Sequence, residues 1–179
     1  MQCKDVKEVL ITKEQLEQRV TELGAMITKD YKGKDPLIVG VLKGSWIFFA
    51  DLIRKIELGC TVDFIDISTY GSSTRSSGEV RFNKDFDNSV DGKDIIMVED
   101  IIDTGVTMNF IVNLLKTRGA NSVRIASLLS KPSRRKIDIT IDYLGFDIPD
   151  EFVIGYGLDY AEKYRGLDFI GILHENCYK

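Results

Sequence analysis

The sequence predicts an α/β fold with a mostly parallel central sheet flanked by helices. Three observations carry this prediction. An apolar run, Asp94-Ile95-Ile96-Met97-Val98, precedes a helical pattern from Val106 to Arg118, and a second apolar run follows from Ser122 to Leu129. Strand, helix and strand in that order form a βαβ unit, whose crossover is right-handed. A separate apolar run, Pro36 to Leu42, leads through Lys43-Gly44-Ser45 into another helical pattern, Trp46 to Ile56. Alternation of this kind places helices on both faces of a parallel sheet, with ligands bound outside the carboxyl ends of its strands.

The remaining elements are consistent with that layout. Leu16, Val20, Leu23, Ile27 and Tyr31 recur at helical spacing, predicting a helix over Lys13 to Tyr31. Thr12 and Gln15 form a capping-box pattern at its start. Thr61 to Ser68 alternates like a strand, and Glu79 to Phe86 reads as its return. Between them lies Thr69-Tyr70-Gly71-Ser72-Ser73-Thr74-Arg75-Ser76-Ser77-Gly78, small and polar with little to bury. The expectation is a long hairpin arm with a flexible tip. Gly119 is placed to cap the helix that begins at Val106.

With 179 residues, 44% hydrophobic and 29% charged, the chain reads as one soluble domain with a substantial core. No run reaches the ~20 apolar residues of a membrane span, and Met1 to Asp5 lacks an apolar signal core. Cys3, Cys60 and Cys177 are odd in number and far apart, matching neither a disulfide framework nor a metal-ligand spacing. A cytoplasmic protein is expected. Net charge is -4, from 24 basic and 28 acidic residues. Apart from the local cluster Lys131-Pro132-Ser133-Arg134-Arg135-Lys136 there is no basic tract, so no nucleic-acid partner is expected.

The most informative segment is Val98-Glu99-Asp100-Ile101-Ile102-Asp103-Thr104-Gly105-Val106-Thr107. Glu99 and Asp100 end an apolar strand, where carboxylates need a partner such as sugar hydroxyls or hydrated Mg²⁺. The turn Thr104-Gly105-Val106-Thr107 opens a helix, where free backbone N–H groups and the helix dipole favour an anion. Simple N-capping by Thr104 or Thr107 is the commoner use of such a turn. Asp103 sits beside the proposed phosphate nest, where a carboxylate can take a proton from a bound nucleophile. Both sites within one loop point to a phosphorylated sugar.

This segment, taken with Leu42-Lys43-Gly44, Thr69-Tyr70-Gly71, Lys131-Pro132-Ser133-Arg134, the run Phe152 to Tyr160 and Tyr164-Arg165, resembles the type I phosphoribosyltransferases. Within them it is similar to the short bacterial hypoxanthine-guanine branch, and the resemblance runs from about Leu10 to Glu175. It implies the type I phosphoribosyltransferase fold over residues 1–179 as a single domain. A small hood from the N- and C-terminal segments is implied with it, and a flexible catalytic loop at about residues 69–78 carrying Thr69 and Tyr70.

The resemblance also implies roles. Asp103 is the catalytic proton acceptor, facing N7 of a purine. Asp103, Thr104, Gly105, Val106 and Thr107 hold the 5′-phosphate, and some relatives carry lysine at the position of Val106. Glu99 and Asp100 hold the ribose and, with Asp159, belong to the Mg²⁺ environment. Lys43, Gly44 and Arg165 bind pyrophosphate, and a cis peptide bond often precedes the lysine in this family. Lys131, Phe152, Val153 and Asp159 form the purine site, with Lys131 donating to the 6-oxygen. Relatives often have serine where this chain has Thr69. The single histidine, His174, matches no catalytic position. The implied reaction is purine salvage: 5-phosphoribosyl-1-pyrophosphate plus hypoxanthine or guanine gives IMP or GMP and pyrophosphate, in a homodimer or homotetramer. Two alternatives stand beside it, an RNA-binding attenuation regulator on the same fold and a xanthine-preferring transferase.

Overall fold

The computed structural model describes residues 5–69 and 80–178. In chain order the elements are β1 (Val6–Ile11), α1 (Lys13–Asp30), β2 (Leu37–Leu42), α2 (Trp46–Ile53), β3 (Thr61–Thr69), β4 (Val80–Lys84), β5 (Asp94–Ile102), α3 (Val106–Thr117), β6 (Ser122–Ser130), β7 (Tyr143–Asp147), β8 (Val153–Ile154) and β9 (Ile170–Leu173). Six strands form the main sheet in the order β4-β3-β2-β5-β6-β7. The pairs from β3 through β7 are parallel, and β4 returns antiparallel along β3. The other three strands, from the two ends of the chain, make an antiparallel sheet ordered β1-β9-β8.

Strand periodicity divides the core in two. Ile38, Ile96 and Val98 join α1 and α2 residues such as Leu16, Leu23, Phe48 and Leu52 on one face. Val39, Val41, Ile95 and Met97 join Met108, Ile111 and Leu115 of α3 on the other. Period two along each strand meets period 3.6 along each helix, so both faces are covered.

The local signals behave as written. Thr12 and Gln15 form both bonds of the capping box at the start of α1. At the end of α3, the Gly119 N–H donates to Lys116 O and the Ala120 N–H to Leu115 O, with Gly119 at φ 86°. That is a Schellman closure.

The largest boundary differences from the sequence reading are at α2 and β5. α2 stops at Ile53 rather than Ile56, because Lys55 and Ile56 donate to Leu52 O and Ile53 O in tight turns. These turns bring Lys55 against Gly24 of α1, where a Cβ would overlap the Lys55 backbone. β5 continues past Val98 to Ile102, paired with β6 through Glu99↔Ser127, Ile101↔Leu129 and Ile102↔Ser130. Glu99 and Asp100 therefore stand within the strand rather than at its end, and Asp103 follows it. The expected flexible loop, with Tyr70, lies outside the described residues, apart from the backbone of Thr69 where β3 ends.

Candidate active site

At the carboxyl ends of β2 and β5 the chain encloses a cleft of about 430 Å³. It gathers Lys43 and Gly44 after β2, Glu99 and Asp100 on β5, and Asp103, Thr104, Gly105 and Thr107 at the turn into α3. Asp159 and Arg165 from the C-terminal loops complete it. Val106 is 40% exposed and is not among the lining residues. A second cavity, of about 420 Å³, lies between α1, α2 and the segment from Tyr156 to Asp168 and holds none of the expected site residues.

The two acids sit just past the last pair between β5 and β2, Val98 with Gly40, while β5 continues along β6. The Asp100 N–H turns to Glu99 Oε1 at 3.2 Å, and the Ile101 N–H to Asp100 Oδ1 at 2.8 Å. Burial, and next to it the charge of Asp100, hold the Glu99 carboxyl well above its ordinary range. Such a pair is relieved by hydroxyl donors or a cation.

The turn into α3 is left-handed at Gly105, φ 82°, and this glycine occupies the cap position with no side-chain capping bond. The cap position therefore supplies no side-chain cap, and Thr104 gives only a long one from the residue before it. Thr104 Oγ1 reaches the Val106 N–H only at 3.4 Å, and Thr104 O accepts from the N–H groups of Lys136 and Ile137. The helix N-terminus thus opens into the cleft beside threonine hydroxyls, as an anion site requires. Next to it, Arg134 Nε lies 2.8 Å from Asp103 Oδ1. The contact is close but poorly directed, since Oδ1 is shielded from solvent without a hydrogen-bond partner.

Across the cleft the Leu42–Lys43 peptide bond is cis. A Cβ on Gly44 would overlap the Asp100 carboxylate, and one on Gly157 would overlap Gly44 O. Glycine at both positions allows the turn from Gly155 to Leu158 to press on the Lys43-Gly44 loop and bring Asp159 and Arg165 beside it. Gly155 and Gly157 have φ of 99° and 104°, values that suit glycine. Tyr156 anchors the same turn by donating its hydroxyl to Asp51 Oδ2 at 2.6 Å, and burial pushes that phenol upward. Arg165 donates to Gly157 O at 2.8 Å and pairs with Asp159 Oδ1 at 2.9 Å.

The expected purine residues stand outside the lining of this cleft, Asp159 excepted. Lys131 follows β6, with its backbone N–H on Ile102 O. Its ammonium is nearly buried, 3.7 Å from Asp150 Oδ1. Val153 is buried on β8, and Phe152 before it is 38% exposed. Tyr178 stacks on Phe152 with ring centroids 5.2 Å apart, and Tyr160 meets its edge at 5.5 Å.

Several neighbours escaped the sequence reading as site residues. Arg134 was visible as part of a basic cluster and of the motif Lys131-Pro132-Ser133-Arg134, with no role of its own. Glu162 contacts Lys43 Nζ at 3.4 Å and Arg165 Nη2 at 3.3 Å. Tyr178 reaches Phe152 from the far end of the chain. None has a local pattern that marks it; the fold creates each contact. His174 is exposed, its backbone N–H donating to Asp5 O. Among the described residues no helix is long and apolar enough to cross a membrane.

Residues 7–161 match the family model for the phosphoribosyl transferase domain. The hypoxanthine-guanine phosphoribosyltransferase of Bacillus subtilis is 51% identical over 175 residues, covering 98% of this chain and 97% of its own. A bifunctional protein TilS/HprT of Listeria monocytogenes is 48% identical over 174 residues, 97% of this chain, which spans 27% of that longer protein. A crystal structure of a hypoxanthine phosphoribosyltransferase from Staphylococcus aureus has a TM-score of 0.94 at 50% identity, covering 98% of this chain and 95% of that one.

Proposed function

The chain belongs to the phosphoribosyltransferase family, and from that premise we propose that it is a hypoxanthine-guanine phosphoribosyltransferase of purine salvage. It transfers the 5-phosphoribosyl group of 5-phosphoribosyl-1-pyrophosphate to hypoxanthine or guanine, giving IMP or GMP and pyrophosphate. One observation carries the reading furthest. A single cleft holds an open helix N-terminus, an acidic pair and two cations, in a chain half identical to the Bacillus subtilis enzyme. These match the three charged or hydroxylated parts of the sugar donor.

In this reading the turn from Asp103 to Thr107 takes the 5′-phosphate, mainly through backbone N–H groups. Glu99 and Asp100 accept from the ribose hydroxyls. Lys43 and Arg165 face the pyrophosphate, and the Arg165 fork suits phosphate oxygens. The C1–O bond breaks with its electron pair leaving on pyrophosphate, and purine N9 forms the new bond to C1. The N7 proton passes to Asp103, and the same carboxylate favours positive charge developing on the sugar. Lys131 donates to the 6-oxygen, a role that an adenine amino group could not answer. Phe152 offers a ring face for the base, and the Val153 backbone reads its edge.

The acidic residues fit Mg²⁺. Among the described residues there is no cluster of three or more candidate ligands, so no all-protein cage is present. Mg²⁺ is usually held by one or two carboxylates together with substrate phosphates, and Glu99, Asp100 and Asp159 supply hard oxygen donors of that kind. When bound there, the ion would offset the negative charge of the departing pyrophosphate.

We assign the enzyme to the cytoplasm and to a homodimer or homotetramer, which sedimentation velocity would decide. The activity is tested by spectrophotometric assay of hypoxanthine, guanine, xanthine and adenine, each with 5-phosphoribosyl-1-pyrophosphate and Mg²⁺. Turnover of the first two with little from adenine is expected. Failure with every base would remove the assignment.

A further inference from the structure

We propose that Glu162 is an anionic placeholder in the pyrophosphate subsite, holding Lys43 and Arg165 in the free protein and swinging aside when pyrophosphate arrives. The inference rests on the assignment of Lys43 and Arg165 to pyrophosphate, and it concerns what those cations do when no pyrophosphate is bound.

The geometry is that of one carboxylate shared by two cations. Lys43 Nζ lies 3.5 Å from Oε1 and 3.4 Å from Oε2 of Glu162, and Arg165 Nη2 lies 3.3 Å from Oε2. Lys43 and Arg165 line the cleft, whereas Glu162 is not among its lining residues and reaches them from outside. An anion bound by both cations would compete for the same donors.

Glu162 is fixed at its base and loose at its tip. Its backbone N–H donates to Asp159 Oδ2 at 2.8 Å, and its φ of 63° follows Ala161 at φ 50°, so the chain turns sharply here. The side chain beyond that anchor is 68% exposed, and the Lys43 side chain is 66% exposed. Long contacts between exposed charges are weak and screened by salt. Pyrophosphate, with several negative charges and bidentate oxygens, displaces such a contact easily. Arg165 differs from Lys43 in being only 19% exposed and in keeping a second partner, Asp159. The placeholder therefore acts chiefly on Lys43, the mobile half of the pair.

The consequence is moderated affinity. Every pyrophosphate that binds must first break the Glu162 contacts, and every one that leaves is replaced by them. A subsite without this carboxylate would hold its product longer.

The test is calorimetric titration of inorganic pyrophosphate, at fixed Mg²⁺, into the full chain and into Glu162→Gln. Glu57→Gln, an equal charge change in the connection entering β3, serves as the control. Glu162→Gln should bind about three- to tenfold more tightly, in line with the loss of two weak exposed contacts, and the gain should shrink at high salt. Glu57→Gln should match the parent. Equal or weaker binding by Glu162→Gln, or the same gain in Glu57→Gln, would overturn the placeholder while leaving the subsite assignment intact. If the parent protein does not bind pyrophosphate at all, the subsite assignment itself fails, and the placeholder fails with it.

Discussion

The guanidinium of Arg134 lies against Asp103, Nε to Oδ1 at 2.8 Å, and so ties the proposed proton acceptor to the rest of the proposed purine site. The other end of the same guanidinium reaches Asp150 Oδ1 at 3.3 Å, and that oxygen lies 3.7 Å from Lys131 Nζ. The residues assigned to N7 and to the 6-oxygen, adjacent positions on one edge of the purine, are thereby joined through one arginine and one aspartate. Arg134 is not among the residues lining the cleft, so its expected part is to position Asp103 by charge rather than by a directed hydrogen bond. Arg134→Gln should leave the fold nearly unchanged, since half-exposed pairs contribute about 0–1 kcal/mol. Turnover should fall about tenfold, less than the roughly 100-fold or more that losing the acid–base group itself costs, with the KM for the sugar donor preserved. In an Asp103→Asn background the same change should cost little more, and kcat across the four proteins of that double-mutant cycle measures this. Full additivity would detach Arg134 from Asp103.

Asp103→Asn should fold normally and lose turnover by roughly 100- to 10,000-fold, the usual range for a general base. Circular dichroism and steady-state kinetics on the same preparation separate folding from chemistry. A near-normal kcat would take the proton-accepting role away from Asp103.

Lys131→Ala should raise the KM for hypoxanthine and guanine roughly 10- to 100-fold, in line with losing one hydrogen bond from a charged donor. Binding of 5-phosphoribosyl-1-pyrophosphate should be spared, because Lys131 is absent from the cleft lining that gathers the proposed sugar-binding residues. Titration of the sugar donor into the variant checks this, and an equal loss for both ligands would indicate unfolding instead.

What was legible in the sequence was what local chemistry decides. Thr12 and Gln15 are three residues apart, so their capping box needs nothing distant. Leu16, Val20, Leu23 and Ile27 bury one helical stripe, as their spacing requires. Glu99, Asp100, Asp103 and the Thr-Gly-x-Thr turn are neighbours in sequence, and the cleft keeps them together. That the strand runs on past Glu99 and Asp100 to Ile102 was not legible, because pairing with Ser127, Leu129 and Ser130 is a tertiary fact. The small sheet was reached only through the resemblance, as a hood from the two terminal segments, for the same reason: β1 pairs with β9 at the other end of the chain, Val6 with Leu173, and neither strand is long. Glu162 and Arg134 carry no pattern of their own. What makes them interesting is the cations or carboxylates that the fold sets beside them. Lys131, Phe152 and Val153 were reached through the resemblance and not through their spacing.

Glu99 connects the site to stability, and the sign can be worked out. Burial and the Asp100 charge raise its carboxyl well above the ordinary value of 4.5, so the folded protein holds a proton there that the unfolded chain has already released. Below about pH 4 both states are protonated and Glu99 costs nothing through this route. As pH rises past 4.5 the unfolded state gains from ionisation first, and stability falls until the folded carboxyl also ionises. Above that point the loss is complete and constant. Glu99→Gln removes the titration while keeping the shape, so it should melt higher than the parent at pH 8 and nearly equal to it at pH 4. Each kcal/mol recovered corresponds to about 2–4 °C in a chain of this length. Mg²⁺ should narrow the difference at pH 8, because a cation near the acidic pair lowers the cost of the charged carboxylate in the parent alone. Thermal melts of both proteins at the two pH values, with and without Mg²⁺, decide the matter. A parent that melts higher than Glu99→Gln at pH 8 without metal would mean that the carboxylate is held by donors rather than penalised by burial.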